Sequence, residues 1–256
     1  MTKWNAAHYL RFGAERTRAA ADLLARVALD SPCRVADLGC GPGNSTSLLW
    51  QRWPEAQIVG IDNSPDMITA AQEAYPDRAW ELCDVRHWNP SRPFDLVFSN
   101  AALQWLPGHG QLMQSLFARV AEAGALAFQI PSATYATVRQ LIFDISRAPE
   151  WDQRMRGPRS VLTMESPAFY YDALVREAAA LDIWETEYMH VLDSPAAIVD
   201  WIRSTGLRPF LDVLHIESER ERFTSELQRR VAAAYELRVD GKVLFPFRRT
   251  FVVAYR

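Results

Sequence analysis

Three glycines that could form a ligand-binding loop follow a short apolar segment near the start of the chain. Residues 34–38 have the composition of a buried β-strand, and Gly39, Gly41 and Gly43 come directly after them. Glycine lets the chain turn sharply and lets a ligand approach the backbone, because no Cβ stands in the way. In a parallel sheet such a turn lies at the carboxyl ends of the strands, where ligands bind. We therefore expect Gly39, Cys40 and Gly41 to form the floor of a cofactor site, with Cys40 as a small residue that fills the loop.

Two classes of cofactor use a loop of this kind. The dinucleotide fingerprint is Gly-x-Gly-x-x-Gly, but Asn44 occupies the place of its third glycine and Gly43 comes one residue early. Asp37 lies beside the loop, where a carboxylate repels a pyrophosphate and attracts the ammonium of a methionine moiety. The pattern favours S-adenosylmethionine, and a nicotinamide-dependent oxidoreductase is the alternative from another enzyme class.

Acidic and amide side chains follow the next strands in turn. Asp62 ends the segment 58–61, about 20 residues beyond the loop, where a carboxylate accepts the hydroxyls of a nucleoside ribose. Asn63 and Met67, in the turn and helix that follow, are assigned to the same site. The alternative for a polar residue at such a position is a helix cap.

Two further strand ends complete the predicted cofactor site. Asp84 suits the adenine amino group, and Val85 beside it offers an apolar cover for the ring. Asn100 ends the fourth strand and is expected to face the methionine part and the methyl group. Several such residues at successive strand ends, together with the glycine loop, favour a cofactor site over a set of caps.

These segments resemble those of a known superfamily. The runs VADLGCGPGNST, VGIDNSPDMI, CDV and FSNAALQWL are similar to class I S-adenosylmethionine-dependent methyltransferases. The opening WNAAHYLRFGAER and the later DWIRSTGLRPFL resemble the trans-aconitate 2-methyltransferase family. The resemblance implies transfer of a methyl group to one carboxylate of trans-aconitate, with a monomethyl ester as product and detoxification as the role. It also implies that Asp37, Gly39, Asp62, Asp84 and Asn100 occupy cofactor-site positions.

A substrate with several carboxylates needs cations in its site. Arginine is preferred because its planar fork binds a carboxylate through two hydrogen bonds. Arg208 is the first choice, because Gly206 and Pro209 restrict the backbone around it. The candidates in the second half of the chain are Arg154, Arg156, Arg159, Arg203, Arg208, Arg248 and Arg249.

Aromatic residues supply further candidates for the substrate wall. Trp201, Tyr188 and His190 are assigned to it, as is Tyr9, which would fold over the cofactor from the N-terminal segment. Helical spacing also fits Trp201 as a core residue, and Tyr188 and His190 alternate on a strand that could face a pocket or solvent. No catalytic residue is assigned, because a carboxylate with a pKa near ~4 is ionised at neutral pH and needs no general base.

The alternation of elements predicts how these residues are positioned. Strands alternate with helices up to residue 131, which is typical of an α/β protein with a Rossmann-like, doubly wound parallel sheet. Residues 111–121 are predicted to form a helix and residues 251–255 a strand near the sheet edge. We expect a single domain over 1–256, with a core over about 14–131 plus strands near 183–191 and 251–255, and with a helical cap over about 132–169 and 194–240.

Composition excludes several classes of function. The formal net charge is -3, so the surface is not generally basic, and we expect neither nucleic acid nor a membrane as partner. The 3 cysteines form no Cys-x-x-Cys pair, so no metal site is expected. The N-terminus lacks the apolar segment of a signal peptide. We expect a cytoplasmic protein that is a monomer or weak homodimer.

Other methyltransferase-like functions remain open from the sequence. The cofactor motifs do not specify a substrate, so the chain could act on another small molecule, for example a malonyl thioester or a phenol. A protein that binds S-adenosylmethionine without catalysis is the more distant alternative.

Overall fold

A seven-stranded sheet forms the centre of the molecule. The computed structural model describes residues 13–132 and 137–256. The strand order is β3-β2-β1-β4-β5-β7-β6, and β7 runs antiparallel to both of its neighbours, whereas β1 to β5 pair in parallel. The strands are β1 (Arg34–Leu38), β2 (Gln57–Asp62), β3 (Ala79–Leu82), β4 (Phe94–Asn100), β5 (Val120–Pro131), β6 (Ala180–Leu192) and β7 (Val243–Tyr255).

Helices connect most of these strands and cover the sheet. Those in the first half are α1 (Gly13–Arg26), α2 (Asn44–Arg52), α3 (Pro65–Ala74) and α4 (His109–Phe117). Those in the second half are α5 (Thr137–Ser146), α6 (Asp152–Arg159), α7 (Pro167–Leu174), α8 (Pro195–Arg203), α9 (Arg208–Asp212) and α10 (Glu217–Ala234). A 3₁₀ turn, Leu103–Trp105, follows β4. Within the two described ranges, no helix is long and apolar enough to cross a bilayer.

The two faces of the sheet carry separate apolar layers, as parallel sheets require. On one face, Leu23 of α1 and Leu49 of α2 are fully buried against the strands. On the other face, Leu116 of α4 and Tyr170 of α7 are buried against the same strands. The α/β, doubly wound arrangement predicted from the sequence is therefore confirmed.

A third apolar cluster holds the remaining helices together. We call α5, α6, α8, α9 and α10 the cap. Trp201, Phe210 and Phe223 from these helices pack with Trp151, which directly precedes α6, and with Phe245 of β7, and all five side chains are buried. The end of β6 and the start of β7 thus anchor the cap to the edge of the sheet.

Two element predictions were wrong in their bounds. The last strand extends from Val243 and lies between β5 and β6, so it is an interior strand, and Phe251 and its neighbours are fully buried. The helix predicted over 111–121 ends at Phe117, and β5 begins at Val120. Val120 pairs with Phe94 before the register shifts, so this segment is already part of the sheet.

Candidate functional site

A cleft opens where the first four strands end, at the edge of the sheet that the sequence motifs predicted. We call it the strand-end cleft. It is lined by Gly39 and Gly41 after β1, by Asp62, Asn63 and Met67 after β2, by Asp84 and Val85 after β3, by Asn100, Ala101, Ala102, Leu103, Trp105 and Leu106 after β4, and by Arg208 of the cap.

The glycine loop is shaped by its contact with the loop after β4. Gly39 has φ +70, and a Cβ at this position would lie 2.1 Å from the Cβ of Ala102. Gly41 also has a positive φ, of +55. The backbone of this loop therefore forms an open floor that side chains would block, which is why the sequence places glycine here.

Asp62 holds the same loop in place. Its Oδ2 accepts a hydrogen bond of 3.0 Å from the Gly41 amide, and its Oδ1 accepts one of 2.9 Å from the Ser64 amide. Burial raises the pKa of Asp62 above its ordinary value. Each carboxylate oxygen keeps a further lone pair, so Asp62 can brace the loop and still accept a hydroxyl from a ligand.

Two side chains of the loop lie beneath it and do not line the cleft. Asp37 is fully buried, and its Oδ2 accepts hydrogen bonds from Ser45 Oγ (2.8 Å) and Thr46 Oγ1 (2.7 Å) of α2. Burial raises its pKa to about 6. Burial likewise raises the pKa of the Cys40 thiol, whose Sγ lies 3.5 Å from the Gly41 carbonyl oxygen. Asp37 was expected to favour a methionine ammonium beside the loop, and the structure places its carboxylate beneath the loop, where it binds α2.

Asp84 carries its own counter-ion. The amide and guanidinium of Arg86 donate hydrogen bonds to its carboxylate, and the nearest Nη2–Oδ2 distance is 2.5 Å. Hydrogen bonding from Arg86 lowers the pKa of Asp84. The carboxylate is therefore fixed in the cleft wall with Val85 beside it, and an amino group of a ligand would share it with Arg86.

A second cavity lies between the sheet and the cap, and it joins the strand-end cleft at Asn100, Ala101 and Trp105, which line both. We call it the cap cavity. Among the described residues that line it are four arginines and neither aspartate nor glutamate. The arginines are Arg139, Arg159, Arg248 and Arg249, and the apolar wall includes Val138, Ile142, Phe143, Trp201, Phe210 and Phe247.

The four arginines differ in what they bind. Arg159 donates to Asp152 at 2.7 Å, and Arg248 donates to Glu187 at 3.3 Å. These two carboxylates neutralise much of the charge of their partners. Arg139 makes no hydrogen bond or ion pair within the part of the chain that the structure describes, although its guanidinium lies 4.9 Å from the ring centre of Phe143.

Arg249 is connected to the strand-end cleft through a buried relay. Its Nη1 donates to Gln129 Oε1 at 3.2 Å, and Gln129 Nε2 donates to Asn100 Oδ1. Gln129 is fully buried and Arg249 is only 5% exposed. A cation of the cap cavity and an amide of the strand-end cleft are thus held in a set relation by one β5 side chain.

Arg208 occupies the wall between the two spaces. It is the first residue of α9, and it lines the strand-end cleft, whereas Gly206 and Pro209 on either side line the cap cavity. Its guanidinium lies 5.8 Å from the ring centre of Trp105, and its Nε lies 3.8 Å from the Asp212 carboxylate. Burial lowers the pKa of Arg208.

The aromatic candidates divide in two. Trp201 lines the cap cavity and also packs in the core of the cap. Tyr188 donates a 2.6 Å hydrogen bond to Asp22, and the ring centre of His190 lies 4.5 Å from that of Trp201. Both side chains are buried and line neither space. Their assignment to the substrate wall is not supported, because they share the covered face of β6 and pack in the core, whereas Met189 and Val191 on the other face are exposed. Tyr9 lies outside the described residues.

Sequence reasoning also chose some arginines wrongly and missed one. Arg154, Arg156 and Arg203 are exposed and line neither space. Arg139 was not among the candidates, because no motif marks its region. The available signal was helical spacing, since Ile142 and Phe143 follow it by three and four residues on the same cavity wall.

Known proteins share this architecture. Residues 35–124 match a family model described as a methyltransferase domain. In a solved complex with S-adenosyl-L-methionine, phosphoethanolamine N-methyltransferase 2 from Haemonchus contortus has the same fold, with a TM-score of 0.58 and 12% identity over 93% of this chain and 52% of that one. The sheet and these matches define a class I S-adenosylmethionine-dependent methyltransferase.

Full-length relatives narrow the family. A trans-aconitate 2-methyltransferase from Azoarcus sp. (strain BH72) is 44% identical over 100% of both chains. Another with the same name, from Methylobacterium nodulans, is 46% identical over 100% of this chain and 99% of its own length. The chain belongs to the trans-aconitate 2-methyltransferase family.

Proposed function

We propose that this enzyme transfers the methyl group of S-adenosylmethionine to one carboxylate of trans-aconitate and releases the monomethyl ester and S-adenosylhomocysteine. The observation that carries the proposal is the charge of the cap cavity, whose described lining has four arginines and no acidic side chain. A protein with a net charge of -3 does not attract a polycarboxylate at long range, so recognition must come from such local cations. The names of the relatives support the same substrate.

The strand-end cleft suits the cofactor by the chemistry of its side chains. Asp62 would accept the ribose hydroxyls, while Asp84 and Val85 would hold the adenine. The methionine part would lie over Gly39, Gly41 and the end of β4. The buried Asp37 carboxylate, one of whose oxygens has no hydrogen-bond partner among the described residues, would add negative potential beneath a cationic ligand.

The chemistry itself requires alignment more than acid or base groups. Bound S-adenosylmethionine supplies a methyl group on a sulfonium, and its transfer to a carboxylate oxygen forms an O–C bond, breaks the C–S bond and leaves a neutral thioether. No proton moves, because the acceptor carboxylate is already ionised. The role of the protein is to hold the acceptor oxygen in line and to keep water out.

The relay from Arg249 to Asn100 supplies this alignment. Gln129 joins a cation that would bind the substrate to an amide that would lie beside the methyl group. Because all three side chains are held by the sheet, the acceptor would approach along one direction. Arg208 and Trp105, at the junction of the two spaces, would close the site around the reacting carboxylate.

A cytoplasmic location and a monomeric or weakly dimeric state complete the proposal. Cys33, Cys40 and Cys83 are all free thiols, which fits a reducing compartment. Size-exclusion chromatography with light scattering measures the oligomeric state directly.

The test is a methyl-transfer assay with a panel of di- and tricarboxylic acids, a phenol and a malonyl thioester, with product mass as readout. We expect trans-aconitate to be the best acceptor, with one methyl group added per product. Preferential methylation of the phenol or thioester would contradict the proposal. Cofactor binding without turnover on any acid would point to a non-catalytic protein.

A further inference from the structure

Arg139 differs from the other three arginines of the cap cavity in making no hydrogen bond or ion pair with the described residues. It is half-buried in α5, and burial alone lowers its pKa. Within the described residues it forms neither a hydrogen bond nor an ion pair, and its guanidinium lies over the ring of Phe143. A partly desolvated guanidinium without a counter-ion has affinity for an anion, because the anion restores the lost solvation.

The position of Arg139 separates it from the reacting centre. It lines the cap cavity but not the strand-end cleft, whereas Asn100, Ala101 and Trp105 line both. The oxygen that receives the methyl group must lie at that junction. A carboxylate held in a two-pronged arginine contact also has its lone pairs engaged by N–H donors, so it is a weaker nucleophile than one that is not so held.

We propose that Arg139 is a specificity-determining residue that binds a carboxylate of the substrate other than the one that is methylated. This inference rests on the proposed function and adds that one carboxylate of the substrate is held by Arg139 while another is methylated. Arg139 anchors a non-reacting carboxylate in the cap cavity, outside the strand-end cleft, and this anchor selects the carboxylate that reaches the junction. Specificity for a tricarboxylate over a dicarboxylate then depends on Arg139.

The test combines enzyme variants with substrates from which single carboxylates have been removed. Mesaconate, cis-glutaconate and itaconate each lack a different carboxylate of trans-aconitate. We measure kcat and KM for all four acids with the wild type, Arg139→Ala, Arg139→Gln and Arg139→Lys. Arg147→Ala is the matched control, since Arg147 follows the same helix and lines neither space. Affinity for S-adenosylmethionine and thermal unfolding are recorded for every variant.

We expect Arg139→Ala to lower kcat/KM for trans-aconitate by about 10- to 100-fold, mainly through KM, which is the range for a lost hydrogen bond to a charged group. Arg139→Lys keeps the charge but loses the fork, so it should recover part of the activity. Affinity for the cofactor and all constants of Arg147→Ala should stay at wild-type values. One dicarboxylate, the one lacking the anchored carboxylate, should still be methylated, and its kcat/KM should be equal in wild type and Arg139→Ala.

Three results would overturn the inference. Arg139→Ala could act on trans-aconitate like the wild type, or lower kcat/KM equally for every acid, or spare only an acid that the wild type cannot methylate. The last result would mean that Arg139 binds the reacting carboxylate. If Arg139→Ala does not fold, the same comparisons with Arg139→Gln decide. A wild type that methylates none of the acids contradicts the proposed function itself, which separates that failure from failure of the inference.

Discussion

Replacing Asp62 by alanine should weaken both the cofactor site and the fold, and the two losses can be measured apart. The carboxylate accepts hydrogen bonds from the amides of Gly41 (3.0 Å) and Ser64 (2.9 Å), and its proposed ligands are the ribose hydroxyls. Each hydrogen bond to a charged group contributes about 1.5–3 kcal/mol. Burial of the Asp62 carboxylate, which raises its pKa, reduces the net contribution of these hydrogen bonds to the free energy of unfolding.

We therefore expect Asp62→Ala to lower the free energy of unfolding by about 2 kcal/mol and to weaken S-adenosylmethionine binding by a further ~1.5–3 kcal/mol. Asp66→Ala is the matched control, since Asp66 lies in the first turn of α3 and does not line the cleft. It should cost only about 0.3–1 kcal/mol of stability through the helix dipole, with unchanged affinity.

Isothermal titration calorimetry gives the affinity, and urea unfolding without ligand gives the stability. Asp62→Asn should fall between wild type and alanine, because its amide keeps one acceptor oxygen. If Asp62→Ala loses stability but binds S-adenosylmethionine like the wild type, Asp62 only braces the loop and its assignment to the ribose is wrong.

Two further predictions concern the relay and a buried histidine. Gln129→Met removes the acceptor of Arg249 and the donor to Asn100, so kcat for trans-aconitate should fall about 10-fold or more while cofactor affinity changes little. Steady-state kinetics measures kcat, and calorimetry measures the cofactor affinity. An unchanged kcat would show that the relay does not align the substrate. Burial, followed by the charges of Arg249 and Arg18, lowers the pKa of His190 from 6.5 to about 4. The folded state therefore favours neutral His190, and the stability that this provides is present above about pH 6.5 and is lost as the pH falls toward 4, by at most about 3 kcal/mol. His190→Phe should reduce the loss of the free energy of unfolding between about pH 6.5 and 4, measured by urea unfolding across this window. An equal loss in both proteins would show that His190 is not its cause. Asp37, whose raised pKa acts in the opposite direction, is common to both proteins and cancels in the comparison.

The residues at the strand ends were accessible to sequence reasoning because the rule that places them is local. A polar residue that ends a parallel strand lies at the ligand-binding edge whatever the rest of the chain does. Asp62, Asp84 and Asn100 follow this rule, and all three line the strand-end cleft. The alternation of strands and helices up to residue 131 likewise depends on local patterns, so the sheet could be predicted from them.

Side-chain direction and the pairing of distant segments were not accessible in the same way. Asp37 has the right sequence position, but its direction depends on how β1 packs against α2. Gln129 and Arg249 meet only because β7 inserts beside β5, and the predicted place of the last strand was wrong. Tyr188 and His190 lie on the buried face of β6 and Met189 and Val191 on its exposed face, so the alternation indicates which face is covered but cannot distinguish a pocket from a core.

The central claim is that the arginines of the cap cavity recognise the charges of the substrate. The most direct measurement compares kcat/KM of the wild type for trans-aconitate with that for its dimethyl esters, which keep the carbon skeleton and one free carboxylate but lose the other charges. We predict that kcat/KM for trans-aconitate exceeds that for every dimethyl ester by about 100-fold or more, since each loss leaves a buried cation without its partner. Equal values would contradict the account, because the cavity would then select its substrate by shape and not by charge.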